Sequence, residues 1–436
     1  MKINKIYSLL SLVLVGIFST SCTETEIRTE TITEILDPAL VTEGKETFRH
    51  DTFGDEDFWS GILHLDKAIK GSSNGGYGSG VSPATALSVG LKVDSEALPA
   101  DVAQAIQAGQ VDLNSPATTL TLLKLNAVVG LKGNFDTSGN MTSVGITCAL
   151  CHSTVDNSFA AGIGKRLDGW PNRDLNVGVI VSLTDNAAFL ANLLHVDEPT
   201  VMTVLQGWGP GKFNAGLFMD GKALKPDGTI AANLIPAAYG MQGVNLATYT
   251  GWGDMTYWNA FVANLEMHGK GNFSDSRLNN AVQFPIASEN NFGNVTNSPD
   301  LITPKLPGLQ AYQLSLLAPV PPSGSYDAAA AAAGKIVFQG VGQCATCHIS
   351  PIFTDAGFNL HSASELGIDN FEASRSPTGM YRTTPLRGLF ARSTGGYYHD
   401  GRFTTLGDVV NHYDNHFNLQ LNSQQKNDLI EYLKSI

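Results

Sequence analysis

A mainly α-helical fold built around two like centres is what this sequence predicts, and three observations predict it. The pattern Cys-x-x-Cys-His occurs twice, at residues 148–152 and 344–348. Apolar residues recur in blocks at helical spacing along the chain. Gly, Ser, Asn and Pro clusters cut those blocks apart, and no βαβ setting frames either cysteine pair.

The two motifs carry the chemistry. Two thiols three positions apart on an incipient helix face the same way, so both can reach one porphyrin edge and add across its vinyl groups. The histidine that follows can bind iron from the proximal side. Cys148, Cys151 and His152, and Cys344, Cys347 and His348, are therefore read as the attachment and proximal residues of two covalently bound haem c groups (iron). Two small disulfides, a zinc site or a thioredoxin-like pair are the competing readings. The pairs lie far apart for a four-thiol zinc site. A histidine after both pairs, in a chain with only 10 histidines, favours haem.

The fifth and last cysteine, Cys22, belongs to the N-terminus. Lys2 and Lys5 precede a short apolar run, Ile6 to Phe18, too short for a membrane span. Ser19-Thr20-Ser21-Cys22 then resembles a bacterial lipobox. The expectation is a signal peptide over 1–21, lipidation of Cys22 and a tether over 22–40. The protein is then exported, a periplasmic or cell-envelope lipoprotein held to the membrane by its lipid anchor. The net charge is −13, and cleavage would remove two lysines and no acid, which excludes nucleic acid as a partner class. A redox partner protein or a quinone-linked donor fits better.

In order, helical spacing is read over 41–48, 57–69, 99–108, 115–129 (with a Ser–Pro start), 185–205 and 255–268. No strand is expected ahead of the first motif. Residues 206–251 are rich in Gly, Pro and Asn and read as loop. Gly162 to Arg166 and Trp170 to Arg173 suit a haem wall, where backbone comes close and propionates need cations. Residues 316–327 read as a linker with adjacent prolines. Helices over 328–339 and 423–436 flank the second motif. The domain reading is an N-terminal haem domain over 41–320, with a helical and loop-rich extension, and a C-terminal domain over 328–436.

The last hundred residues resemble a class I cytochrome c domain. Tyr381-Arg382-Thr383-Thr384-Pro385-Leu386-Arg387 and Tyr397-Tyr398-His399-Asp400-Gly401-Arg402-Phe403-Thr404-Thr405-Leu406 resemble phrases of the bacterial diheme cytochrome c peroxidases, of the types "TP-x-LR" and "YFHDG…TL". The resemblance implies a mainly α fold with two cytochrome-c-like haem domains. It implies a peroxidase-like oxidoreductase in which electrons enter at the C-terminal haem and reduce hydrogen peroxide at the N-terminal one. Glu266, in Glu266-Met267 after Gly251-Trp252-Gly253-Asp254, matches the family's distal acid and would move a proton between the peroxide oxygens. The alternative is a non-enzymatic electron-transfer cytochrome between a membrane donor and an extracytoplasmic acceptor.

The sixth ligands decide between them, because an open iron binds peroxide and a doubly ligated one transfers electrons. For the second haem the family position falls at Tyr413. Met380 rivals it on chemistry, and His412 and His416 are further options. For the first haem His268 is best placed, with Met255, Met267, His195, Met219 and Met241 as alternatives. Trp252 or Trp258 is a candidate relay, although aromatics at such spacing usually fill a core.

Overall fold

The first segment of the folded chain is a helix, Pro38–His50, in the computed structural model, which describes residues 36–436. The expected signal peptide, lipidated Cys22 and most of the tether lie outside the described residues. Asp37 caps this helix by accepting from the Ala39 N–H, and Pro38 occupies its first turn, where a missing donor costs nothing. The helix thus begins three residues before the expected start and claims the end of the tether.

Among the described residues helix predominates, and strands occur only as short pairs. Two helix pairs set the frame. Pro38–His50 packs on Leu306–Ser315, and Ala328–Gln339 packs on Ser423–Lys434. Each crossing turns on a glycine. A Cβ at Gly44 would stand 1.8 Å from the Gly308 carbonyl oxygen, and one at Gly334 would stand 1.9 Å from that of Asp428. Only glycine allows such backbones to touch. Asn422 and Gln425 form a capping box that fixes the start of the last helix, one residue ahead of the expected serine.

Several expected helices are shorter or broken. Residues 57–69 split into Glu56–Trp59 and Leu65–Lys70, with His64 between them at φ +57°. Residues 185–205 split into Ala187–Leu194 and Glu198–Gly207 at left-handed His195, where Asp197 and Pro199 start a new helix. Pro116–Lys124 ends well before 129, because Asn126 is left-handed. The reading of no strand before the first motif is overturned. Leu131–Phe135 and Met141–Ile146 form an antiparallel hairpin that runs into Thr147 and Cys148. Its tip, Ser138-Gly139-Asn140, supplies the turn residues, but the strands alternate too weakly in polarity to announce themselves. The expected loop over 206–251 holds a two-residue strand pair, Lys212–Phe213 with Asn233–Leu234, and a short helix, Leu217–Asp220.

The segments before 320 and after 328 are joined by buried polar contacts. Arg375 donates to both oxygens of Asp220, at 2.7 and 3.0 Å, and to Asn214 at 2.8 Å. All three residues are buried, which makes this a strong, geometrically demanding bond. The Leu234 N–H donates to the His399 carbonyl at 2.6 Å.

Candidate functional site

The two motifs sit on different local scaffolds but present their histidines alike. The first follows the hairpin: Cys148 precedes the short helix Ala149–His152, and Ser153 starts a strand paired with Arg166–Asp168. His152 Nδ1 lies 3.1 Å from the Pro236 carbonyl. The second follows Ala328–Gln339, through left-handed Gln343 into the turn Cys344–Thr346. His348 Nδ1 lies 3.0 Å from the Phe353 carbonyl. A carbonyl only accepts, so each Nδ1 carries the proton and each Nε2 keeps its lone pair. Burial pushes both imidazoles down to about 4, so both are neutral at physiological pH. A neutral ring held through Nδ1 is the form a metal-ligating histidine needs. The four thiols are free, and burial pushes those of Cys148 and Cys151 up to about 12 and those of Cys344 and Cys347 up to about 11.

A cavity of about 330 Å³ opens over the second motif. Cys344, Cys347 and His348 line one side, Leu386, Val410 and Leu429 supply apolar wall, and Tyr413 projects from the helix Leu406–Phe417. Arg173, Arg382 and Arg392 converge on it. All three are buried, the Nε of each has no partner, and none makes an ion pair among the described residues. Burial, then repulsion from Arg392, lowers Arg382 to about 10. Buried unpaired cations are costly. A flat apolar group bearing carboxylates answers both the cavity and the guanidinium groups, so the residues fit a haem with its propionates.

The first motif has a different wall. The expected helix 255–268 is α-helical only over Met255–Phe261; Val262–Glu266 is a π turn, and His268 is left-handed at φ +61°. The wider turn shifts the helix face after Phe261. Both Glu266 carboxyl oxygens are sealed from solvent and unpartnered. Burial raises the Glu266 carboxyl well above its usual range. Met267 packs in the apolar cluster that Cys148 joins. Asp55, fully buried, accepts from the Ile146 N–H at 3.2 Å, and burial, then Glu56, pushes it up to about 9. The arginines of this region are neutralised: Arg49 pairs with Asp168 at 2.5 Å and Arg166 with Asp94 at 3.0 Å.

The other candidates are placed as follows. Met380 is 39% exposed and does not line the cavity. His412 and His416 bond through Nε2 to the carbonyls of Leu366 and Glu365. His268 stacks on Phe58, ring centroids 3.7 Å apart, and makes no hydrogen bond among the described residues. His195 is a surface residue paired with Glu289. Met219, Met241 and Met255 lie in apolar clusters. Trp252 and Trp258 stack at 5.3 Å within an aromatic cluster with Phe261.

The stretch Trp170 to Arg173, read as haem wall, touches both sites together with the preceding Gly169. The Gly169 N–H donates to the His152 carbonyl and the Asn172 N–H to that of Cys151, both at 2.8 Å, while Arg173 lines the second cavity. Trp170, between them, packs edge-on to Phe390 at 5.8 Å and Tyr239 at 6.3 Å. Arg382 and Arg392 were not expected at the site. Arg382 lies in the phrase that carries the family resemblance, which was its only signal; Arg392 had none.

No described protein family matches the chain. The chain is 38% identical over 86 residues to the methylamine utilization protein MauG of Methylorubrum extorquens, a stretch covering 18% of this chain and 24% of that one. It therefore spans about a quarter of the length of that curated relative. Among solved structures, a hydrazine synthase chain of Kuenenia stuttgartiensis matches 49% of this chain and 76% of its own at 21% identity, with a TM-score of 0.29. A MauG-like protein associated with microbial copper homeostasis matches 50% and 77% at 18% identity, with a TM-score of 0.32.

Proposed function

We propose that this chain is an exported, lipid-anchored diheme c-type cytochrome that acts as a peroxidase-like oxidoreductase. The second haem would take electrons from a redox partner protein or a quinone-linked donor, and hydrogen peroxide would be the substrate at the first. The observation that carries the reading is Glu266: a buried carboxyl with both oxygens unpartnered among the described residues. A structural acid would be expected to bond to something. Local sequence likeness to a MauG protein supports the family but not its substrate.

Cys148 and Cys151 would hold the first haem and His152 its iron; Cys344, Cys347 and His348 would hold the second, and Tyr413, which lines the same cavity, would be its further ligand. When bound, each haem supplies a one-electron ferric–ferrous couple. Glu266, protonated because it is buried, donates from one oxygen to the departing oxygen of peroxide while its other oxygen takes the proton of the oxygen left behind. The apolar cluster with Met267 keeps water away from that transfer. Arg173, Arg382 and Arg392 anchor the propionates of the second haem, and the loop 169–173 is the short backbone connection between the sites.

A non-enzymatic electron carrier is the second reading, and His268 is the side chain that favours it, two residues after Glu266 in the chain, stacked on Phe58 and without a hydrogen bond among the described residues. Electron paramagnetic resonance and absorption spectra of the diferric and mixed-valence protein, with hydrogen peroxide added, separate the two. A high-spin signal consumed by peroxide is the expected result. Two low-spin haems unaffected by peroxide in both redox states would overturn the peroxidase reading.

A further inference from the structure

Tyr397, Tyr398 and His399 are consecutive, yet all three line the second cavity. Extended backbone sends successive side chains to opposite faces, so such a run needs a break. The break is at Tyr398, whose φ is +69°. A bulky aromatic residue adopts the left-handed region only when its surroundings impose it. Here both flanks are fixed. The Tyr397 N–H donates to the Phe403 carbonyl at 2.8 Å, and His399 receives the Leu234 N–H and stacks on Tyr381 at 5.1 Å.

That conformation serves the ring of Tyr398, which lies 4.8 Å from Phe403, 5.9 Å from His412 and 6.1 Å from Tyr413. Phenylalanine would make the same packing, and the family phrase has phenylalanine at this place. The hydroxyl is what this chain adds. It is sealed from solvent and lacks a partner at full hydrogen-bond geometry among the described residues, an arrangement rare in native proteins. The polar group it faces is the phenol of Tyr413, whose hydroxyl is its nearest candidate partner.

We propose that Tyr398 is a positioning residue of the second haem centre: its hydroxyl donates a hydrogen bond to the Tyr413 oxygen when that oxygen binds iron. The inference rests on Tyr413 as the axial ligand. An iron-bound phenolate has a lone pair left over, and Tyr398 offers the buried donor for it. A hydrogen bond at that oxygen draws electron density from the iron, so the ferric state is less favoured than with an unassisted tyrosinate. It also fixes the direction of the phenolate, because the donor sits on a backbone held at both ends.

The test compares the purified holoprotein with Tyr398→Phe and Tyr413→Phe by resonance Raman excited in the phenolate-to-iron charge-transfer band, in water and in D2O, and by redox titration of the second haem. The expected wild-type result is a set of phenolate modes whose C–O stretch moves in D2O. Tyr413→Phe should abolish the modes. Tyr398→Phe should keep them, lose the D2O shift and lower the midpoint potential, at unchanged haem content. An unchanged stretch and potential in Tyr398→Phe, or no D2O shift in the wild type, would overturn the role of Tyr398 and leave Tyr413 as ligand. Modes that survive Tyr413→Phe but not Tyr398→Phe would make Tyr398 the ligand and overturn the proposal. Absence of phenolate modes in the wild type would remove the ligand reading and this inference with it.

Discussion

One five-residue motif occurs in two surroundings that differ in charge. Around the first, the arginines are paired with aspartates, and the buried groups without a counter-ion among the described residues are acids, Asp55 and Glu266. Around the second, the buried groups without a counter-ion among the described residues are arginines, Arg173, Arg382 and Arg392, beside the Tyr398 phenol. On the proposed reading the motif would hold a haem in either place, and the chemistry open to it would depend on the wall. A neutral buried acid holds a transferable proton, whereas clustered guanidinium groups hold an anion and have no proton to give.

Removing one attachment site at a time is the largest perturbation of that comparison. The pair Cys344→Ala and Cys347→Ala should halve the covalently bound haem, measured by mass spectrometry and the pyridine haemochrome, and should leave the unpaired arginines without their counter-ion. The equivalent change at Cys148 and Cys151 should also halve the haem, with less loss of stability, because the cations there are already paired. Equal destabilisation by both pairs would break the comparison.

Glu266→Gln keeps shape and polarity but removes the exchangeable acid. Peroxide turnover should fall by about 10²–10⁴-fold with the haem spectra unchanged. In the wild type, turnover should also fall as pH rises through the raised pKa of Glu266, since only the protonated form can donate.

Asp55 sharpens the contrast through stability. Its folded pKa, about 9, lies above the ordinary 3.8. Its contribution is therefore fully present below about pH 3.8 and is lost as pH rises toward 9. The slope for such a group is at most about 1.4 kcal/mol per pH unit. Asp55→Asn should flatten the fall in melting temperature across that window, and an unchanged profile would show that Asp55 is charged in the folded protein.

The smallest expected effect concerns the helix crossing behind the second motif. Gly334→Ala drives a methyl group into the Asp428 carbonyl and should cost about 1–3 kcal/mol in thermal unfolding. Haem content should persist if the cavity is held mainly by its arginines and the His348 bond.

Much of this molecule is legible because its signals are local. Each Cys-x-x-Cys-His motif specifies its chemistry within five residues. The helices 328–339 and 423–434 show themselves through alanine content, apolar spacing and polar starts. The helix breaks at His64 and His195 were hidden, because a left-handed residue without glycine leaves no compositional mark. The π turn at 262–266 was hidden too, since the apolar spacing of Met255 to His268 suits an unbroken α-helix.

By itself, then, the sequence determined the mainly helical class, the two Cys-x-x-Cys-His motifs and the acidic character of the chain, all of which follow from composition or from neighbours along the backbone. Only the tertiary structure decided which side chains meet each motif. It brought Tyr413 to the cavity and left Met380 at the surface, although Tyr413 by family position and Met380 by chemistry had ranked nearly equal. It gathered arginines from positions 173, 382 and 392, and it turned Glu266 inward. Periodicity encodes which face of an element is buried, but the partner of that face is set by contacts between residues far apart in the chain, and no local pattern records them.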